Sequence, residues 1–118
     1  MASTGLNGPH ALVTAKIEEV VAPNRIGTYA LGYSSGDAWY VRYVGRSDAD
    51  LRGRLKQHVN ENNEFAEFKF ASYPSVQAAY EKECGIYHDF EGPEGRLKND
   101  VHPAKPAGIS WRCPRCGA

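Results

Sequence analysis

The feature that most constrains the fold is a pair of aromatic and β-branched runs separated by a short turn signal. The runs are GTYALGY at residues 27–33 and AWYVRYVG at residues 38–45, with Ser34-Ser35-Gly36-Asp37 between them. Aromatic and β-branched residues favour strands, and a brief connection rich in Gly and Ser between two such runs is typical of a hairpin. The chain is therefore predicted to contain an antiparallel β-hairpin.

Three further segments have readable patterns. A helix is predicted from a cap at Asp48 or Asp50 to about Val59. The segment FAEFKFASY at residues 65–73 alternates apolar and polar residues, as a half-exposed strand does. A second helix follows, with Ser75 as its N-cap and an end near Phe90. The order is β-β-α-β-α, which indicates a small α/β (α+β) domain; residues 16–22 form either a strand or a short helix.

Length and composition indicate one domain without a membrane segment. The 118 residues are 42% hydrophobic and 24% charged, which is typical of a globular protein. We expect a flexible tail at residues 1–15, the domain at residues 16–100 and a second tail at residues 101–118. Glycines, a proline and charged residues interrupt residues 1–22, so neither a membrane span nor a signal peptide is expected there. A cytoplasmic location follows as a prediction.

The charges balance overall but not locally. The chain has 14 basic and 14 acidic residues, yet residues 42–58 contain five basic against two acidic ones, and residues 81–100 contain six acidic against three basic ones. Adjacent cationic and anionic surfaces suit phosphate and metal binding, although solvated charged faces give the same counts. Within the basic segment, the candidates for nucleic-acid binding are Arg46, Arg52 and Lys56.

Glu83 is the most informative residue of the second helix. On a helical wheel, the apolar residues of that helix fall within roughly 80° of Val76 and form one stripe. Glu83 lies in the middle of this stripe, whereas Glu81 lies on the polar side. A carboxylate on a buried face needs a charged partner or a metal, so Glu83 either pairs with an arginine or serves chemistry.

The first helix carries a basic pair beside its apolar ridge. Leu51, Leu55 and Val59 form the ridge, and Arg54 and His58 lie four residues apart along one edge of it. The side chain of Arg54 is either partly desolvated and directed towards a site, or it lies on the surface with its aliphatic stem covering the core. Two tyrosines of the hairpin, Tyr29 and Tyr43, are either packing residues or part of the same site.

Together these residues resemble the GIY-YIG nuclease family. The likeness rests on Gly27-Thr28-Tyr29, on Tyr43-Val44-Gly45, on the Leu-x-x-Arg-x-x-x-His spacing that ends at His58, and on Glu83 in a later helix. It covers roughly residues 26–100, and Asn99 matches an asparagine near the end of that fold. The resemblance implies a three-stranded antiparallel sheet flanked by helices, and cleavage of phosphodiester bonds in DNA with one divalent cation.

The resemblance also implies a role for each residue. Glu83 would hold Mg²⁺ or Mn²⁺, Arg54 would bind the phosphate, Tyr29 and Tyr43 would surround the attacking water, and His58 would be a less favoured proton acceptor than Tyr29. Three departures are visible: Thr28 replaces an isoleucine, the interval between the tyrosines is long, and one extra residue precedes Arg54. Arg46 is therefore a second candidate for the phosphate. The alternative is a non-cleaving nucleic-acid-binding or interaction module on the same fold.

The cysteines suggest a separate zinc site. Three cysteines in a chain without an export signal make a disulfide framework unfavourable. Cys113-x-x-Cys116 supplies half of a tetrahedral zinc site, and Cys84 with His88 could supply the rest, with His102 as a rival ligand. A structural Zn²⁺ would then hold the C-terminal tail against the second helix. The alternatives are a redox pair at Cys113 and Cys116, and a core packing role for Cys84.

Overall fold

The computed structural model describes residues 6–36, 38–61 and 65–89, and the fold is described for them. Their elements, in chain order, are β1 (Asn7–Ala11), α1 (Thr14–Val20), β2 (Gly27–Ser35), β3 (Ala38–Ser47), α2 (Leu51–Glu61), β4 (Glu67–Ser72) and α3 (Val76–Asp89). None of the helices in these ranges has the length and apolar character needed to cross a membrane. The expected α+β class is confirmed.

The strands form one antiparallel sheet in the order β1-β4-β2-β3. Its edge contains the predicted hairpin, in which Ser35 pairs with Ala38 and Gly36 has a φ of +60°, a value that glycine tolerates best. The sheet has four strands within the described residues, so the expected number of three is wrong by one. The additional strand is β1, and it lies beside β4.

Strand β1 and helix α1 precede the hairpin, and residues 7–14 fall in the segment predicted to be a flexible tail. The sequence of β1, NGPHA, lacks the alternation of a half-buried strand. Two features stabilise β1. It pairs with β4, and Leu6 and Leu12, which flank it on either side, are buried. The ring of His10 lies 5.4 Å from that of Phe68 on β4. Residues 16–20, where strand and short helix were both possible, are helical.

The two faces of the sheet have separate cores. Alternate residues of β2 point to opposite faces, so Tyr29 and Leu31 pack with α1 and α2, whereas Ala30 packs with the α3 side. The α1–α2 side is filled by Ile17, Val21, Leu51, Leu55 and Phe68. The α3 side is filled by Leu6, Val41, Val44, Ile86 and Tyr87. Each helix that carries a predicted site residue is therefore fixed by its own apolar face.

Both predicted helix starts are found close to their expected positions. Asp50 directly precedes α2, and its main-chain carbonyl accepts a hydrogen bond from the Arg54 N–H at 3.1 Å. Ser75 precedes α3, and its Oγ accepts a hydrogen bond from the Ala78 N–H at 3.2 Å, as an N-cap does. The other candidate cap, Asp48, instead accepts a hydrogen bond from Nε of Arg46 at 2.8 Å.

Candidate functional site

The candidate site lies where β2 begins and the edge strand β3 ends. Tyr29 is opposite Gly45, and Thr28 is opposite Arg46. Because neighbouring residues of a strand face opposite ways, Tyr29 points towards α2 and Thr28 points towards α3. The site therefore receives side chains from both faces of the sheet.

Tyr29 is the centre of the α2 side. Its side chain is fully buried, and its hydroxyl oxygen lies 2.6 Å from Nε2 of His58, which is itself only 8% exposed. The two rings meet edge to face with 5.2 Å between their centroids. A Cβ at position 45 would collide with the Tyr29 hydroxyl, so the glycine of Tyr43-Val44-Gly45 makes room for the tyrosine of the neighbouring strand. Gly27-Thr28-Tyr29 and Tyr43-Val44-Gly45 therefore meet in one contact, between the Tyr29 hydroxyl and Gly45.

The surroundings of Tyr29 keep its phenol protonated. Burial is the largest cause that raises the pKa of the Tyr29 phenol, and Tyr43 and Glu83 act in the same direction. The charge of Arg54 and a hydrogen bond with Arg54 partly offset this rise, which places Arg54 beside the same oxygen. The phenol therefore stays protonated, and the tautomer of His58 decides whether Tyr29 or Nε2 is the donor in the hydrogen bond between them.

Tyr43 and Arg54 form the more accessible part of the α2 side. The Tyr43 ring lies 5.3 Å from that of His58 and 6.4 Å from that of Tyr29, and Tyr43 is partly exposed. Arg54 is also partly exposed, and its Nη1 donates to Oε1 of Gln57 at 2.9 Å. No part of Tyr29 is exposed to solvent here, so Tyr43 is the tyrosine of this pair that water can reach.

Glu83 provides the α3 side of the site. It is 7% exposed, which confirms its predicted place in the apolar stripe, and Glu81 is exposed as expected. Nη1 of Arg46 donates to Oε1 of Glu83 at 2.7 Å. The alternative in which Glu83 pairs with an arginine is therefore realised in this structure. Its charge is close enough to Tyr29 to raise the pKa of that phenol.

Arg46 is held by three groups. Besides Glu83, it contacts Asp48 through Nε at 2.8 Å, and its guanidinium lies 5.2 Å from the centre of the Tyr80 ring. Burial works against the charge of Arg46, but the hydrogen bonds and charges of Asp48 and Glu83 outweigh it, so the pKa of Arg46 is raised. Asp48 and Tyr80 were not predicted as site residues. Their signal in the sequence is weak, because Asp48 resembles a helix cap and Tyr80 resembles a core residue.

Thr28 fixes the position of α3 relative to β2. Its buried hydroxyl donates to the main-chain carbonyl of Ala79 at 2.8 Å, one helical turn before Glu83. An isoleucine, which the family usually has at this position, could not donate this bond. The departure at Thr28 is therefore accommodated by a satisfied hydrogen bond, and it helps to set Glu83 opposite Arg46.

The oxygens of Glu83 suit a hard divalent cation. The described residues contain no group of three or more His, Cys, Asp and Glu side chains arranged to hold a metal ion. Mg²⁺ usually retains several water ligands and binds through one or two carboxylates, so a single carboxylate fits it. Arg46 contacts one oxygen of that carboxylate. A Mg²⁺ or Mn²⁺ ion at Glu83 would take most of its ligands from water, and this cation stays a prediction.

Arg52 and Lys56, two of the predicted nucleic-acid-binding residues, contact α1. Arg52 donates through Nε to the carbonyl of Val21 and through Nη2 to that of Glu18, both at 2.8 Å. Nζ of Lys56 lies 2.6 Å from Oε2 of Glu18. These contacts give both residues a structural role, and their DNA-binding role stays a prediction.

The predicted zinc ligands lie only partly within the described residues. Cys84 is buried against Tyr80, and His88 lies one turn further along α3, so the predicted relation between the two is found. The other candidates, Cys113, Cys116 and His102, lie outside the described residues, as does Asn99. The zinc site stays a prediction.

Comparison with known proteins finds no relative of this chain. No family model, no curated protein and no solved structure matches the chain. The interpretation of the site therefore depends on the residues themselves. The structure brings together Tyr29, Tyr43, Arg54, His58 and Glu83, and it places Arg46, the second candidate for the phosphate, against Glu83.

Proposed function

We propose that this protein is a metal-dependent endonuclease that hydrolyses phosphodiester bonds in DNA, with a site of the GIY-YIG type. The observation that carries the proposal is the convergence on one tyrosine hydroxyl: Tyr29 contacts His58 at 2.6 Å, and the charges of Arg54 and Glu83 both act on it. Arg54, His58 and Glu83, which act on this hydroxyl, come from two helices on opposite faces of the sheet. Phosphoryl transfer to water needs this combination of a cation, a proton acceptor and a carboxylate for a metal.

Arg54 is the phosphate-binding residue of the proposed site. It is partly exposed, so a backbone phosphate can reach it. A guanidinium binds two phosphate oxygens in a planar fork and neutralises the charge that develops in the transition state. The hydrogen bond with buried Tyr29 restricts how the guanidinium turns.

His58, Tyr29 and Tyr43 handle the attacking water in the proposed mechanism. Tyr29 is fully buried and protonated, so it acts as a positioning residue that orients His58 and Arg54. Tyr43 is partly exposed, and its hydroxyl is suited to orient the water. His58 is the proton acceptor in the tautomer whose Nε2–H donates to Tyr29, because Nδ1 is then the unprotonated ring nitrogen. Tyr29, the acceptor preferred from the sequence, has no exposed surface where water could transfer a proton to it, so the proposal gives this role to His58.

Glu83 holds the divalent cation, Mg²⁺ or Mn²⁺, in this proposal. When bound, such a cation neutralises charge on the phosphate and assists the departing oxygen. DNA is the partner and the cytoplasm is the expected compartment. Handling of mobile or phage DNA, or DNA repair, would use such an activity.

A nicking assay tests the proposal directly. Supercoiled plasmid, a branched duplex and single-stranded DNA are each incubated with the protein in Mg²⁺, in Mn²⁺ and in EDTA. We expect nicking that requires the metal and disappears in Glu83→Gln, with full activity in the matched control Glu81→Gln, because Glu81 is exposed on the same helix. Metal-independent cleavage, or full activity in Glu83→Gln, would show that the assignment is wrong.

A second candidate function is favoured by the Arg46–Glu83 ion pair. A carboxylate that is already paired with an arginine at 2.7 Å has a structural reason to be buried. The protein would then be a non-cleaving nucleic-acid-binding or interaction module. Binding of DNA with no cleavage of any of the three substrates, in either metal, would support this second function.

Structural zinc is part of the proposal and can be measured separately. Elemental analysis of the purified protein should find about one zinc per chain, the stoichiometry of a four-ligand site. The zinc should be lost in Cys84→Ser and in Cys113→Ser. Loss of zinc in His102→Ala but not in His88→Ala would identify His102, and not His88, as the fourth ligand. Purified protein without stoichiometric zinc would mean that Cys113 and Cys116 are a dithiol.

A further inference from the structure

We propose that Arg46 competes with the divalent cation for Glu83: its guanidinium, which contacts Glu83 in this structure, must leave when a cation binds. The inference deepens the proposed nuclease function and rests on it. The sequence predicts Arg46 only as a nucleic-acid-binding residue and a second candidate for the phosphate.

The contact between the two groups is close and nearly dry. Nη1 of Arg46 and Oε1 of Glu83 are 2.7 Å apart, and the two side chains are 10% and 9% exposed. Removal of either charge would leave the other buried without this compensation, which is strongly unfavourable. Arg46 therefore places a positive charge directly against Glu83 in an apolar stripe.

A divalent cation bound to Glu83 would also place a positive charge against the carboxylate. Two cationic groups that share one buried carboxylate repel each other strongly at low local dielectric constant, so they compete for it. The cation must then be bound at the expense of the Arg46 contact. Affinity for the metal is lower in the presence of Arg46 than it would be with a neutral residue of similar size.

The guanidinium of Arg46 has partners other than Glu83 towards which it can turn. Its Nε already donates to Asp48, whose side chain is 43% exposed, and it lies over the ring of Tyr80. Both contacts are independent of Glu83, and β3 is an edge strand, so no further strand covers this side of Arg46 within the described residues. Arg46 can turn from Glu83 towards Asp48 without losing all of its partners.

The first test measures the affinity for Mn²⁺ by the electron paramagnetic resonance of the free ion, without DNA. Arg46→Gln should bind Mn²⁺ roughly tenfold or more tightly than the wild type, because an adjacent positive charge is removed. Glu83→Gln should lose this binding, and Arg42→Gln, on the same strand, should bind as the wild type does. Equal or weaker binding by Arg46→Gln would overturn the proposal, and would show instead that Arg46 orients Glu83 for the metal.

The second test uses thermal stability, which does not depend on activity. Arg46→Gln should melt below the wild type in EDTA and recover in Mn²⁺ because the ion replaces the missing charge. The double variant Arg46→Gln/Glu83→Gln should not respond to Mn²⁺. If the double variant is stabilised as much as the single one, the ion binds elsewhere and the inference is wrong.

The third test observes the guanidinium itself. In a ¹⁵N NMR titration with Mg²⁺, the Nε–H signal of Arg46 should shift, whereas that of Arg52, bonded to the Val21 carbonyl, should stay in place. A stationary Arg46 signal at saturating Mg²⁺ would contradict displacement. If the wild type binds metal and cleaves DNA but Arg46→Gln gains no affinity, only this inference fails. If no variant binds Mn²⁺ and nothing is cleaved, the proposed function itself fails.

Discussion

The two edges of helix α2 carry similar residues and form different contacts. Arg52 and Lys56 lie along one edge, and Arg54 and His58 lie along the other, with the same four-residue spacing in each pair. The first pair contacts α1, where Arg52 donates to two main-chain carbonyls and Lys56 pairs with Glu18. The second pair meets at the hydroxyl of Tyr29.

The difference shows why a count of basic residues does not locate a binding surface. The carbonyls at the end of a helix have no partner inside that helix, and Arg52 supplies donors to those at the end of α1. Arg54 instead lies beside a buried phenol that also contacts an imidazole. Changes on the α1 edge should therefore affect stability, and changes on the Tyr29 edge should affect turnover. The predictions below test this division.

The largest effect is expected for Arg54→Lys. Lysine keeps the charge but loses the planar fork, so turnover should fall roughly a hundredfold, as when one transition-state donor is removed. DNA affinity and the melting temperature should change little. Steady-state nicking and a DNA-binding titration measure the two quantities, with Arg52→Lys as the matched control on the other edge. Parallel losses in affinity and turnover would mean that Arg54 only anchors the DNA backbone.

Tyr29→Phe should have the next largest effect. The substitution removes the oxygen shared by His58 and Arg54, so both groups lose their orientation, and turnover should fall roughly tenfold to a hundredfold. Tyr33→Phe is the control, because Tyr33 lies on the same strand and is exposed. Turnover and DNA affinity are measured for both. Unchanged turnover in Tyr29→Phe would assign this tyrosine to packing alone.

Arg52→Met should reduce stability and leave turnover unchanged. Methionine keeps most of the apolar stem, and the loss of charged donors to two carbonyls should lower the free energy of unfolding by about 1.5–3 kcal/mol. Urea denaturation gives this value, and nicking by the folded protein gives turnover. A fall in turnover without a fall in stability would support the prediction from the sequence that Arg52 binds DNA.

The smallest effect is expected for Lys56→Met, and it should depend on pH. The hydrogen bond and charge of Lys56 lower the pKa of Glu18 below its ordinary value of 4.5 in the folded protein. A lowered folded-state pKa stabilises the protein above pH 4.5, and this contribution disappears as the pH falls through the lowered value. The difference in melting temperature between variant and wild type should be slight at neutral pH and vanish in acid. A difference that persists in acid would indicate that the stem of Lys56 matters, not its charge.

Local patterns in the sequence were enough to predict most of the elements. Two aromatic and β-branched runs around a turn mark the hairpin, periodicity marks α2, α3 and the strand between them, and Ser75 caps α3 as expected. Strand β1 was missed because its order depends on pairing with β4 and on the burial of Leu6 and Leu12 at its ends. Such non-local pairing leaves no periodic signal in a short segment that contains glycine and proline.

The sequence by itself determined that Glu83 would lie on a buried face and that Arg54 and His58 would share one edge of a helix, because helical periodicity fixes such relations within one element. Only the tertiary structure decided which arginine meets Glu83. Arg46 and Glu83 are 37 positions apart, and they meet because Arg46 pairs with Thr28 across the hairpin and Thr28 binds α3 at Ala79. Strand register and helix docking are set by the packing of the whole domain, so no local pattern could have distinguished Arg46 from the other arginines of the basic segment.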